Sequence, residues 1–178
     1  MFSALIGSIV LSRLSQDTLD RSGSSSSDAL PDLLHNILPD WSAYEHVIDA
    51  IPVSLGILVI LFCRKNLRLR LRKIATQLSI VYLLRVITSS VTVLPSPICS
   101  SSRPSCKAVG GCYDLIFSGH TSTMLILAWH LQKCFPKYRT HLILFCILGS
   151  GVIVATRGHY TIDVIVAWVV VHSILAVT

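Results

Sequence analysis

Residues 64–94 read RKNLRLRLRKIATQLSIVYLLRVITSSVTVL. Six of the first ten residues are basic, while the 21 from Ile74 to Leu94 carry a single charge, Arg85. Dense positive charge abutting an apolar run of spanning length is what the positive-inside rule places at a cytosolic face. Arg64–Lys73 is therefore expected to be a cytosolic loop, with Ile74–Leu94 leaving it as a membrane span.

The rest of the chain follows from that anchor. A bilayer core needs about 20 apolar residues per helix. Val47–Cys63, Leu115–Leu131, Leu142–Ala155 and Ile162–Thr178 meet or approach that length. Composition agrees: 52% of the 178 residues are hydrophobic and 13% charged, where a soluble domain carries about a quarter charged. Mean hydropathy is +0.68. The expected fold is an all-α, polytopic transmembrane bundle with about five visible spans. A second basic loop, QKCFPKYRT (132–140), falls on the same side as the first, and Pro95–Asp114 and Thr156–Tyr160 fall on the opposite, exoplasmic or lumenal side. The net charge of +6 is concentrated in the two loops, without aromatic interleaving or a binding module, which argues against nucleic acid.

Residues 1–28 are expected to be an apolar remnant followed by a flexible linker, RSGSSSSD, and they lack the basic start of a signal peptide. The last apolar run is still open at Thr178, as expected of an incomplete chain. In ALPDLLHNILPDW (29–41), Leu30, Leu33, Leu34, Ile37 and Leu38 recur at helical spacing. That pattern fits either an interfacial amphipathic segment or a short helix packed on the spans. Cys99, Cys106 and Cys112 share the outer loop, where one disulfide is allowed, whereas Cys63 and Cys134 fall at cytosolic span ends. No CxxC pair exists, so a structural zinc site is not expected.

Chemistry concentrates at the outer face. His159 and Asp163 are four residues apart, on one side of a helix. A carboxylate beside an imidazole fixes its tautomer and leaves the other nitrogen available as nucleophile or base. His120, in DLIFSGHTSTM (114–124), is threaded to the same face, about one and a half turns into the span that starts at Leu115. Two histidines and a carboxylate suit phosphoryl transfer: one histidine attacks phosphorus, the other protonates the leaving oxygen. Arg157 is placed to hold phosphate, and Arg85, inside a span, is expected to face a polar cavity holding a lipid phosphate. The same His120, His159 and Asp163 could in principle ligate a metal, but the sequence supplies no further ligand. His35, His46, His130, His141 and His172 show no partner spacing and read as structural or interfacial.

CYDLIFSGHT (112–121) and GHYTIDVIVAW (158–168) resemble two signature motifs of the sphingomyelin synthase family, ceramide phosphotransferases of the lipid phosphatase (PAP2-like) superfamily. RVITSSVTVLPSP (85–97) is similar to another motif, and LPD at 30–32 or 38–40 to a further one. The resemblance covers about residue 30 onward and makes 29–178 the catalytic domain. It implies six helices, of which the first is missing or vestigial here, and an active site facing the lumenal or exoplasmic side. It implies a multi-pass protein of the Golgi, endoplasmic reticulum or plasma membrane, with self-association allowed. The implied reaction moves a headgroup, phosphocholine foremost, from phosphatidylcholine or another glycerophospholipid to the primary hydroxyl of ceramide, releasing diacylglycerol. His159 would form the phosphohistidine, Asp163 would orient it, and His120 would be the acid and then the base. Asp114 and Ser118 would join Arg85 and Arg157 in binding substrate, and neither metal nor other cofactor is expected.

Two departures bear on these roles. Tyr113 stands where the family has glycine, and Arg157 ahead of the histidine is more like the inositol-phosphorylceramide synthases. A lipid phosphate phosphatase is the nearest rival, but its Lys-x6-Arg-Pro pattern fails because Ser96 lies seven residues before Arg103-Pro104. An inactive lipid-binding homologue is the rival of a different class.

Overall fold

The computed structural model describes residues 30–44, 46–92, 94, 97 and 116–178. The N-terminal remnant and linker, Asp114, Tyr113 and the three outer-loop cysteines lie outside the described residues. Among the described residues, regular structure is entirely helical. The long helices are preceded by α1 (Leu33–Ile37) and comprise α2 (Val47–Phe62), α3 (Leu67–Val91), α4 (Gly119–Cys134), α5 (Arg139–Ala155) and α6 (Thr161–Val177). Each of the five long helices overlaps one of the apolar runs expected as spans, with its ends displaced.

α4 is the hub, touching all four other long helices. Met124, Ile126 and Thr121 on it are fully enclosed, and so are Ser118 just ahead of it and Phe117. The surrounding helices each present a stripe to it. In α6, Val164, Ala167, Val171 and Ile174 recur at helical spacing and are buried, while Ile162, Ile165 and Val169 point outward and are exposed. In α2, Ile48, Leu55 and Val59 turn inward, whereas Val53, Ile57 and Ile60 are exposed. Outward faces this apolar are a liability in water and the requirement in lipid. The chain is a membrane protein. The stretches Ser42–Phe62 and Pro136–Ala155 are long and apolar enough to cross a bilayer by that measure alone, and Thr161–Val177 is a shorter apolar helix.

Contacts between helices fix their directions. Asp49 near the start of α2 meets His120 at the start of α4, and Cys63 after α2 is disulfide-bonded to Cys134 at the end of α4. Those two helices are therefore parallel. α3 runs the other way, since Arg70 in its first turn reaches the His130 carbonyl and Tyr82, later in the helix, meets Thr123. The far end of α6 returns to α3, where Gln77 Nε2 donates to Thr178 Oγ1 at 3.0 Å. This alternation is the one expected from the two basic segments.

Three expectations need correction. Arg64–Lys73 is not a loop: only residues 63–66 turn, with Asn66 at φ 56°, and α3 already begins at Leu67. Leu, Arg and Lys are good helix formers and no glycine or proline interrupts them, so two basic turns extend the span. His120 lies in the first turn of α4 rather than one and a half turns in, because Ser118 caps the helix. The pairing Cys63–Cys134, across 71 residues, was not expected at all.

Within residues 29–41 one face of α1 lies against the bundle and the other is open, as both alternatives allow. Leu34 and Leu38 pack, partly buried, against the core while Leu33 and Ile37 stay exposed.

Candidate active site

At one end of the bundle the N-termini of α4 and α6 come together. Ser118 Oγ accepts the Thr121 N–H at 3.1 Å, capping α4. The Ser118 N–H donates across to the Asp163 carbonyl at 3.2 Å, tying the two helix starts to each other. Ser118, expected in substrate binding, is thus fully buried and used as a cap. Gly119 follows because Arg85 from α3 lies directly over it. A Cβ at this position would collide with Arg85 Nη1 and sit 3.7 Å from Tyr82 Cε1.

His159 lies in the turn between α5 and α6 and is 4% exposed. Its Nδ1 is 3.4 Å from Asp163 Oδ2, long for a hydrogen bond but of the kind that tightens when substrate binds. Asp163 is fully buried, and Oδ2 also accepts the Tyr160 N–H at 2.9 Å. The pair expected from the i, i+4 spacing is therefore in contact.

His120 faces it. The two imidazoles are 6.3 Å apart between centroids and inclined at 61°. His120 Nε2 lies 2.8 Å from Asp49 Oδ1, a contact sequence reasoning missed. Asp49 did carry a signal: it is a carboxylate three residues into an apolar span, where charge is costly unless it is paired. The result is two carboxylate–histidine pairs, Asp49–His120 and Asp163–His159, facing each other.

Arg85 comes to this end of the bundle, over Gly119 and close enough to interact electrostatically with Asp163. Arg157 is used differently from expectation. Its Nη2 donates to the carbonyls of His35 at 2.7 Å and Leu38 at 3.3 Å. Its Nη1 is buried without a hydrogen bond among the described residues. Arg157 has φ 57°, a left-handed conformation rare for a side-chain-bearing residue.

The segment 30–41 makes further contacts with the same turn. Asp32 accepts the Thr161 N–H at 2.8 Å and the Thr161 hydroxyl at 2.6 Å, as well as the His35 N–H at 3.1 Å. Burial opposes ionisation of Asp32, but these bonds outweigh it and hold the carboxyl below its ordinary range. Burial, with the Asp163 and Asp32 carboxylates, pushes the Tyr160 phenol above its ordinary value, against the bond from Leu30 N–H. His35, read from sequence as structural, has Nε2 3.2 Å from the His159 carbonyl. His130 is buried at the opposite end against Gln77. Among the described residues no three His, Cys, Asp or Glu side chains are grouped to hold a metal ion.

Comparison with known proteins shows what the sequence around this site is similar to. Residues 111–178, which include both histidines and Asp163, match the PAP2 superfamily C-terminal family. Within that superfamily the similarity is to enzymes acting on ceramide. Phosphatidylinositol:ceramide inositolphosphotransferase 3 of Arabidopsis thaliana is 38% identical over 36% of this chain and 23% of its own length. Phosphatidylcholine:ceramide cholinephosphotransferase 2 of Homo sapiens is 30% identical over 49% of this chain and 32% of its own. A putative phosphatidylcholine:ceramide cholinephosphotransferase 3 of Caenorhabditis elegans is 38% identical, over 32% and 18%. The chain thus spans 18% to 32% of the length of these relatives. The resemblance carried by the two histidine motifs, to ceramide phosphotransferases of the PAP2 superfamily, holds.

Proposed function

We propose that this chain transfers the phosphoryl headgroup of a glycerophospholipid to the primary hydroxyl of ceramide, with release of diacylglycerol, and that residues 29–178 form the catalytic unit. The observation that carries the reading is the pair of facing imidazoles, each held by its own carboxylate.

His159 Nε2, with Nδ1 turned to Asp163, attacks phosphorus, and the bond from phosphorus to the diacylglycerol oxygen breaks. His120, as imidazolium, gives a ring proton to that oxygen, with Asp49 beside Nε2 supplying the counter-charge that keeps the imidazolium in place. His120, now neutral, takes the proton of the ceramide hydroxyl. The ceramide oxygen attacks phosphorus, and the phosphorus–nitrogen bond breaks to restore His159. Arg85 binds the phosphate through the step, worth up to several kcal/mol in a site shielded from water. Ser118 fixes both helix starts, and Arg157 holds the His159 turn to residues 35–38. The outer-loop Asp114 is retained as a substrate-binding candidate by resemblance alone. No metal or other cofactor enters this scheme.

The site lies at the end opposite Arg70, Lys73 and Lys133, which by the positive-inside rule supports a lumenal or exoplasmic active site in an endomembrane or plasma membrane. The relatives divide between phosphatidylinositol and phosphatidylcholine as donor, so the donor is decided by experiment. Membranes carrying the protein are given labelled ceramide with phosphatidylcholine, phosphatidylinositol or phosphatidylethanolamine separately. The reading predicts diacylglycerol and one phosphorylceramide appearing together, and abolished by His159→Ala. Free phosphate from phosphatidic acid without ceramide product would instead make it a phosphatase. No turnover with any donor would leave a lipid-binding homologue.

A further inference from the structure

The turn that carries His159 is held by its own bonds, such as Tyr160 N–H to Asp163 Oδ2, and from outside as well. It is a short non-helical passage between α5 and α6 with Arg157 at positive φ, a conformation that persists only where surroundings impose it. Much of what imposes it comes from residues 30–41. Trp41 N–H donates to the Ala155 carbonyl at 2.9 Å, His35 and Leu38 take the Arg157 guanidinium, and Leu30 N–H reaches the Tyr160 hydroxyl at 3.0 Å. At the end of the turn Asp32 takes both the N–H and the hydroxyl of Thr161, the first residue of α6.

We infer that Asp32 is a positioning residue for His159, an assignment that rests on reading His159 as the nucleophile. One carboxylate caps two helices that are about 130 residues apart in sequence, α1 through the His35 N–H and α6 through Thr161. Negative charge at the start of α6 also complements the helix dipole. Thr161 is two residues from His159 and two from Asp163, so a shift of Thr161 moves both members of the pair. Their contact is already long at 3.4 Å, leaving little room before the imidazole loses its orienting partner. A misplacement of about 1 Å at a reacting group costs up to about 100-fold in rate. The strap thereby sets how fast the phosphohistidine forms, without touching substrate.

The test uses the full chain in lipid vesicles, with Asp32→Ala, Thr161→Val and Thr161→Ser. Two quantities are read: steady-state transfer to ceramide, and the rate at which diethyl pyrocarbonate modifies His159 relative to His130, located by mass spectrometry. His130 is as buried as His159 but at the opposite end of the bundle, so it reports general loosening. Asp32→Ala is expected to lower kcat by about 10-fold or more with KM within about twofold, and to raise His159 modification several-fold while His130 is unchanged. Thr161→Val, which keeps the shape and the backbone bond, shifts both in the same direction by less, and Thr161→Ser stays within about twofold of wild type. Unchanged His159 reactivity in Asp32→Ala, or a rise shared equally by His130, overturns the assignment. If wild type transfers nothing to ceramide, the functional reading fails alone, and the reactivity ratio still decides whether Asp32 positions His159.

Discussion

Asp49 and His120 are 71 positions apart in the chain and 2.8 Å apart in the fold. The contact joins the first turns of two parallel helices and gives the second histidine of the site a carboxylate of its own. General acid–base groups contribute about 100- to 10,000-fold to rate, and a partner that holds one in place contributes a fraction of that. Asp49→Ala is therefore expected to lower kcat by about 10- to 100-fold, with Asp49→Glu retaining more activity than Asp49→Ala. Because Asp49 is largely exposed, folding should survive. A thermal midpoint within a few degrees of wild type, measured beside kcat, checks that.

Gly119 makes room for Arg85. The atom that a Cβ would strike is the tip of a flexible side chain, so Gly119→Ala should fold with Arg85 displaced rather than unfold. Activity should fall by about as much as in Arg85→Ala, with KM for the donor phospholipid rising if Arg85 grips phosphate. The double variant should be no worse than Arg85→Ala alone, since both changes remove the same interaction. Additive losses would separate the two residues.

Asp32 gives a prediction in pH. Its carboxyl is held below the ordinary 3.8 when folded, so the stability it lends is fully present above that value and is lost as pH falls through the lower folded value. Hydrogen exchange at the Thr161 amide, corrected for intrinsic rate, should stay slow from about pH 8 to 5 and quicken only in stronger acid. Early loss of protection near pH 6 would contradict the bonding described.

The architecture was legible in the sequence because its signals are local. Long apolar runs and basic segments need no knowledge of partners, and His159–Asp163 lies within one helical turn. The i, i+4 rule therefore found the pair, and threading put His120 with it. Where helices begin was less legible: the run LRLRLRK reads as a loop by charge, while its helix propensity carries α3 through it. Asp49 and Asp32 were missed for a different reason. Their partners are 71 and about 130 residues away, and no periodicity reports contacts of that range. Arg157 shows the same limit, since proximity to His159 in sequence suggested phosphate and gave no sign that its Nη2 also holds the carbonyls of 35 and 38.

The most direct test of the central claim is to trap the covalent intermediate. Protein in vesicles is given donor phospholipid labelled in the headgroup phosphate without ceramide, quenched in alkali to preserve phosphohistidine, and mapped by mass spectrometry. The account predicts label on His159, matched one to one by diacylglycerol, greatly slowed in His120→Ala and absent in His159→Ala. Label on another residue, or transfer to ceramide that proceeds in His159→Ala, would contradict it.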